Sequence, residues 1–377
     1  MKRIVICCDG TWNDRSQHAT NVAKLAQAVT PSGTAATGQV VQIVHYDPGV
    51  GTEASFAEKL LGGATGKGLT ANIKQAYRFI VDNYEVGDDL YFFGFSRGAD
   101  TVRSLAGLIR KCGILRKQES DRVERAYDIY RLPKNPDTVD RDGVDGTIAT
   151  EFRDAYSVIP ARIHFIGVWD TFGSLGIPLG RRNPITYWAN RSLQFHDVDL
   201  STRVTHAYQA LAIDEKRATF TPAIWRKQPT APADQAVEQR WFPGCHSDVG
   251  GGNAHTGLSD AALRWMIEKA VTAGLALDDA YVRERLAPRS AEIEESRTGI
   301  YSLLSSHIRE PGIRENAERP DSRPELDSTQ SISMAALRQR RDRTDYRPAN
   351  LEVYIAAHPS IHADATEDWP GQGRVTP

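Results

Sequence analysis

Three residues far apart in this chain have the types needed for nucleophilic catalysis. The stretch Y-F-F-G-F-S-R-G-A-D (91–100) contains G-x-S-x-G, with Ser96 between Gly94 and Gly98. A serine hydroxyl is a weak nucleophile until a base takes its proton, and the base needs a carboxylate to orient it. V-W-D-T-F-G supplies Asp170, and P-G-C-H-S-D-V-G-G-G supplies His246. Small residues around Ser96 have a steric purpose: Gly94, Gly98 and Ala99 let the backbone fold tightly so that the hydroxyl stands at the tip of a turn. The same ten residues also fit a plain strand end on flexible Gly and Ser.

An acyl-transfer site also needs two backbone N–H groups for the developing oxyanion. The amide of Arg97, directly after the serine, is one candidate. The other is expected from C-C-D-G-T-W-N (7–13), where Gly10 lets the chain turn and Thr11 can present its amide. Asp9 and Asn13 are candidates to brace that loop and Trp12 to wall the site. For the acid, Asp248, Asp199 and Asp214 compete with Asp170. Asp248, two residues from His246, better suits bonding the amides of its own glycine turn. His45, His164, His196, His206 and His255 are weaker candidates for the base.

These residues need rigid elements to hold them. Short apolar runs at 3–11, 40–49, 89–96 and 162–171 lack alternation, as strands covered on both faces do. A broken run at 238–248 is a fifth, and 206–214 fits helix or strand. Helical patterns lie between them at 20–29, 69–84, 99–113 and 260–274. In the second, Ile73, Ala76, Tyr77, Ile80, Val81 and Tyr84 share one face. The alternation predicts an α/β fold with a mostly parallel sheet flanked by helices. Ser96 then closes a strand and opens a helix, and the order Ser, Asp, His is that of α/β-hydrolases. Residues 1–275 are read as the catalytic domain, with insertions at about 116–150 and 173–200. Residues 276–377 are read as a charged extension or lid with a disordered tail. The 173–200 insertion, with Ile177, Leu179, Ile185, Tyr187, Trp188 and Phe195, could cover an acyl-chain pocket or be a plain packing excursion.

Composition narrows the class. The chain has 377 residues, 40% hydrophobic and 25% charged, with a net charge of -2. That balance argues against a nucleic-acid binder. Cys7, Cys8, Cys112 and Cys245 show no metal-ligand or disulfide spacing. No cofactor or metal is expected, since no calcium-loop spacing joins Asp9, Asp170 and Asp248. G-G-A-T-G-K-G (62–68) fails as a phosphate loop, because Leu61 and Gly68 stand where Gly and Ser or Thr are required. G-V-G-T-E-A (49–54) reads as a tight turn, and R-Q-R-R-D-R-T-D-Y-R (338–347) as a solvated helix face. The apolar start is too short for a signal peptide or membrane span, which predicts synthesis in the cytoplasm.

C-C-D-G-T-W-N, G-V-G-T (49–52), G-L-T-A-N-I-K-Q-A-Y-R-F-I, G-F-S-R-G-A, G-V-W-D-T and W-F-P-G-C-H-S-D-V-G-G-G occur here in order. Together they resemble an α/β-hydrolase family that includes the phospholipase effectors of bacterial type VI secretion. The resemblance runs from residue 1 to about 270, and S-I-S-M-A-A-L-R-Q-R-R-D-R-T-D-Y-R-P-A-N-L resembles a C-terminal stretch of members. It implies a serine hydrolase with Ser96 as nucleophile, His246 as base and Asp170 as acid. It also implies phospholipid acyl esters as substrate, peripheral contact with membranes and export by a specialised secretion system. The chain shows no obvious membrane-binding or delivery domain like those of the larger effectors. A carboxylesterase for small soluble esters and a non-catalytic binding scaffold are the competing readings.

Overall fold

The computed structural model describes residues 1–10, 18–35, 38–49, 65–132, 146–158, 161–172, 199–298, 302, 306–314 and 325–359. Its centre is an eight-stranded sheet. The strands are β1 (Lys2–Cys8), β2 (Ser32–Ala35), β3 (Gly38–Asp47), β4 (Asp89–Phe95), β5 (Ile163–Trp169), β6 (Val204–Ala212), β7 (Ala236–Phe242) and β8 (Gln330–Ile332). Their spatial order is β8-β7-β6-β5-β4-β1-β3-β2. Every neighbouring pair is parallel except β2 with β3. The ambiguous run at 206–214 is therefore strand.

Successive residues of the central strands enter opposite layers, which explains the unbroken apolar runs. Ile4, Ile6, Cys8, Leu90 and Phe92 pack with α2 (Thr65–Asn83) and α3 (Arg97–Cys112). Val5, Cys7, Tyr91, Phe93 and Phe95 face α1 (Asn21–Ala28) and the second-layer residues Ala262, Leu263 and Met266. On α2 the expected face is buried at Ile73, Ala76, Tyr77, Ile80 and Val81. The helix Val123–Arg131 buries Val123, Ala126, Tyr127 and Ile129, so this part of the first insertion joins the core. Residues 133–145 of that insertion and 173–198 of the second lie outside the described residues, as do 360–377.

All four cysteines are free and buried. Burial pushes their thiols up, that of Cys112 to about 12, which fits packing and not reactivity. No helix among the described residues is long and apolar enough to cross a membrane.

The charged C-terminal region is stitched to the sheet. Gln330–Ile332 pairs with Gln239–Trp241 of β7. Leu211, Ile213 and Trp241 share a third apolar cluster with Ile332, Ala336, Leu337, Tyr346, Leu351, Tyr354 and Ile355. A strand edge and one end of the sheet are thereby covered.

Candidate active site

Parallel strands in register bring their C-terminal ends to one edge, where open α/β sheets assemble sites. Cys8 stands opposite Gly94, and Phe95 opposite Trp169. Asp9, Ser96 and Asp170 each leave that edge directly after a strand. Ser96 sits at φ 56°, ψ -125°, and Asp170 at φ 41°. Among the described residues these are the two non-glycine positions with positive φ. L-residues adopt that region at a cost of about 1–3 kcal/mol, sustained only where surrounding bonds dictate it. Here the Ser96 amide donates to the Trp169 carbonyl (3.2 Å), and the Asp170 amide to the Ala210 carbonyl (2.7 Å). The Ser96 carbonyl accepts from the amides of Ala99 (3.0 Å) and Asp100 (3.3 Å), which starts α3.

The two glycines flanking Ser96 are needed for close approach. A Cβ on Gly94 would meet the Gly98 carbonyl at 2.5 Å. One on Gly98 would run into the Cys8 carbonyl and lie 2.7 Å from that of Asp9. The elbow is thus pressed against the end of β1. Arg97, the first residue of α3, stands where helix amides point out beyond the helix end.

His246 opens the short helix α4 (His246–Gly250) after β7. Its Nδ1 lies 2.7 Å from Asp170 Oδ2. The His246 side chain is 8% exposed and flanked by Phe95, Phe172 and Phe220, with centroids at 4.6, 5.4 and 5.1 Å. Phe95 immediately precedes Ser96, so the imidazole stands beside the elbow. A Cβ on Gly250 would overlap the Phe95 ring. The main-chain amide of His246 donates to Glu215 Oε2 (3.3 Å), which Arg217 Nη2 also contacts (2.7 Å).

Asp170 is fully buried and accepts four hydrogen bonds. Oδ1 takes the Ala212 amide (2.9 Å) and Arg309 Nη1 (2.6 Å); Oδ2 takes His246 Nδ1 (2.7 Å) and Arg309 Nη2 (3.1 Å). Burial alone would push this carboxyl up. The Arg309 guanidinium and the bond to His246 outweigh it and hold Asp170 below the usual carboxylate range. An ionised carboxylate only accepts, so His246 Nδ1 carries the hydrogen, which leaves Nε2 as the nitrogen that acts as acceptor in the neutral ring.

The remaining candidates take other places. Asp9 braces the first loop: it accepts the Gly10 amide on Oδ1 (2.8 Å), and Thr20 Oγ1 (2.5 Å) and Tyr46 Oη (2.7 Å) on Oδ2. The Gly10 N–H is therefore engaged within its own turn, which argues against it as an oxyanion donor. Thr11, Trp12 and Asn13 lie outside the described residues. Asp248 is turned to its own loop. Its Oδ2 accepts the amides of Cys245 (3.0 Å) and Glu294 (3.1 Å), and its Oδ1 accepts Asn253 Nδ2 (2.8 Å). Asp214 accepts the Gly244 amide (2.7 Å) and Tyr346 Oη (2.8 Å), and Asp199 pairs with Arg226. Of the competing carboxylates, Asp170 is the one brought to the His246 ring. No group of three His, Cys, Asp or Glu among the described residues is placed to hold a metal.

Sequence reasoning missed Arg309, Glu215 and the aromatic ring around His246. Arg309 lies in I-R-E-P-G and is 1% exposed, whereas its neighbour Ile308 is 63% exposed. Hydropathy would place the two the other way round. Phe172 and Phe220 carry no spacing signal, because they approach His246 from separate loops.

The uncharacterized protein YEL023C of Saccharomyces cerevisiae is 30% identical over 246 residues, covering 61% of this chain and 34% of that one. The crystal structure of an uncharacterized protein from Pseudomonas aeruginosa is 17% identical with a TM-score of 0.46, covering 96% of this chain and 53% of that chain. The Tle1 effector, solved bound to the VgrG spike of the type 6 secretion system, is 19% identical with a TM-score of 0.35. It covers 67% of this chain and 51% of that one. The chain thus spans about a third to a half of the length of these proteins. Residues 2–269 match the family model for the catalytic domain of Tle1-like phospholipase effectors of type VI secretion, and the chain belongs to that family.

Proposed function

We propose that this protein is a serine ester hydrolase acting on acyl esters of phospholipids, with Ser96, His246 and Asp170 as its triad. The observation that carries the reading is the 2.7 Å bond from His246 Nδ1 to a buried, ionised Asp170, beside a Ser96 held at φ 56°. His246 Nε2 takes the Ser96 proton as Oγ bonds to the ester carbonyl carbon, and the carbonyl π pair moves onto oxygen. The Arg97 amide stabilises that oxyanion, and Thr11 is the expected second donor from the β1 loop. The oxyanion pair then returns, the C–O bond to the alcohol breaks, and the leaving oxygen takes the proton from Nε2. Water repeats the sequence on the acyl-enzyme, releasing fatty acid and restoring Ser96. Asp170 stays ionised throughout and steadies the transient imidazolium.

Family membership supports phospholipid as the substrate class, and the aromatic wall of Phe95, Phe172 and Phe220 supports a site that sheds water as substrate enters. Substrate at a membrane surface implies peripheral contact with lipid. The test is covalent labelling with a fluorophosphonate, mapped by mass spectrometry. The adduct is expected on Ser96 and absent in Ser96→Ala. An unlabelled Ser96 in folded wild type overturns the assignment. Fatty-acid release from phosphatidylethanolamine–phosphatidylglycerol vesicles is expected to exceed cleavage of short soluble esters; the reverse order identifies a carboxylesterase instead.

A further inference from the structure

Besides the Ala212 amide and His246, Asp170 is gripped by a cation from another part of the chain. Arg309 lies well beyond the residues matched to the family model, yet both its terminal nitrogens reach Asp170, at 2.6 and 3.1 Å. The guanidinium is itself fixed. Nη1 also donates to the Ala212 carbonyl (2.8 Å) and Nη2 to that of Phe220 (2.5 Å). The Arg309 carbonyl accepts from Asn350 Nδ2 (2.8 Å), which also donates to the Ile213 carbonyl (3.1 Å). Asn350 belongs to the C-terminal helix Ala349–Ala357, so that helix holds the arginine at the site.

We propose that Arg309 is a positioning residue of the triad: it fixes the Asp170 carboxylate toward His246 and, by neutralising it, sets the pH at which the Asp170–His246 pair becomes a working base. The inference rests on the triad reading above. A fork binding both oxygens leaves Asp170 one rotational setting, with Oδ2 toward Nδ1. The charge has a separate effect. A bare buried carboxylate would draw a proton onto the pair, whether the proton settled on oxygen or on the ring. A cation on the far side opposes that uptake, so the pair keeps its base form to lower pH.

The other charged groups around the pair do not take this part. Glu215, from the β6–β7 connection, meets the His246 amide but is itself forked by Arg217. Asp248, on the helix of His246, bonds to backbone amides and Asn253. Arg97 and Asp100 belong to α3, and the charges beside Asp100 are those of Arg103 and Arg97. Arg309 is the cation hydrogen-bonded to Asp170.

The experiment uses the full chain with Arg309→Met and Arg309→Lys, each checked for folding by thermal denaturation. The rate of fluorophosphonate labelling of Ser96 is followed from pH 4 to 9. Removing the charge should move the acidic limb up by about one pH unit or more. Lysine should keep the limb within about half a unit of wild type, with a slower rate because it cannot fork. A purely scaffolding arginine would lower the rate in both variants and leave the limb in place, which overturns the proposal. In parallel, 15N-histidine spectra follow the ring of His246, assigned by its loss in His246→Gln. Its titration midpoint should rise in Arg309→Met, and coincident midpoints again overturn the proposal. This second reading does not need a reactive serine, so a wild type that fails to label sinks the hydrolase assignment while Arg309 is still judged. Should Arg309→Met not fold, Arg309→Gln, which keeps a donor and loses the charge, takes its place with the same expected shift.

Discussion

Asp170 is enclosed by donors, and its substitutions separate charge from shape. Asp170→Asn keeps the volume but puts an NH2 where an acceptor is needed, facing either Arg309 or His246. Activity is expected to fall roughly 10⁴-fold, measured as ester hydrolysis or labelling rate. Stability should fall by about 3–5 kcal/mol in urea titrations, because a buried guanidinium loses its counter-charge. Linkage fixes the pH dependence. The folded-state carboxyl lies below its unfolded value, so its contribution is complete above the ordinary aspartate range of about 4. That contribution is lost as pH falls through the depressed folded value. The stability gap between wild type and Asp170→Asn should therefore shrink as pH falls below about 4 toward pH 3. A gap that widens below about pH 4 would contradict the ionised carboxylate. Ser96 has the opposite character, since its conformation costs the fold something. Ser96→Gly removes the hydroxyl and also the clash at φ 56°, and glycine's looser unfolded state takes back part of the gain. The variant should melt about one or two degrees above wild type in calorimetry.

The elements set how closely these residues approach, and here glycine is needed for contact with backbone or with an aromatic ring. Gly98→Ala drives a methyl into the carbonyl at the end of β1, and Gly250→Ala drives one into the Phe95 ring that faces His246. Each should cost about 2–3 kcal/mol and reduce Ser96 labelling in the fraction that still folds. Much of this layer was legible in the sequence. Unalternated apolar runs announced strands covered on both faces, and the helix face from Ile73 to Val81 is where periodicity put it. The elbow, the strand end at Asp170 and the turn at His246 were also readable, because each lies next to a strand and carries small residues. For the expected oxyanion loop the outcome differs in detail: Gly10 has the right freedom, but the Asp9 carboxylate engages its amide. A sequence shows which backbone can turn and not which amide is already bonded.

At the scale of the whole molecule, the region after residue 276 reads as a charged extension or lid, yet it supplies a strand, most of an apolar cluster and a buried arginine. The resemblance of S-I-S-M-A-A-L to its family counterpart was visible, but its physical work was not. Edge-strand pairing at Gln330–Ile332 and the Asn350 bridge depend on contacts made across the fold. Ending the chain after residue 298 should expose Leu211, Ile213 and Trp241 and leave Asp170 without its cation. Such a chain is expected to aggregate or melt well below the full protein, and to label poorly at Ser96, even though it contains every residue matched to the family model. The position of Arg309 also has a meaning in time. Roughly sixty residues separate it from His246, which at about 5–20 residues per second is about 3–12 seconds of translation. A nascent chain thus holds serine, histidine and aspartate for several seconds before the arginine is made. The proposed Asp170–His246 pair gains its cation only once residue 309 has been made and packed against it.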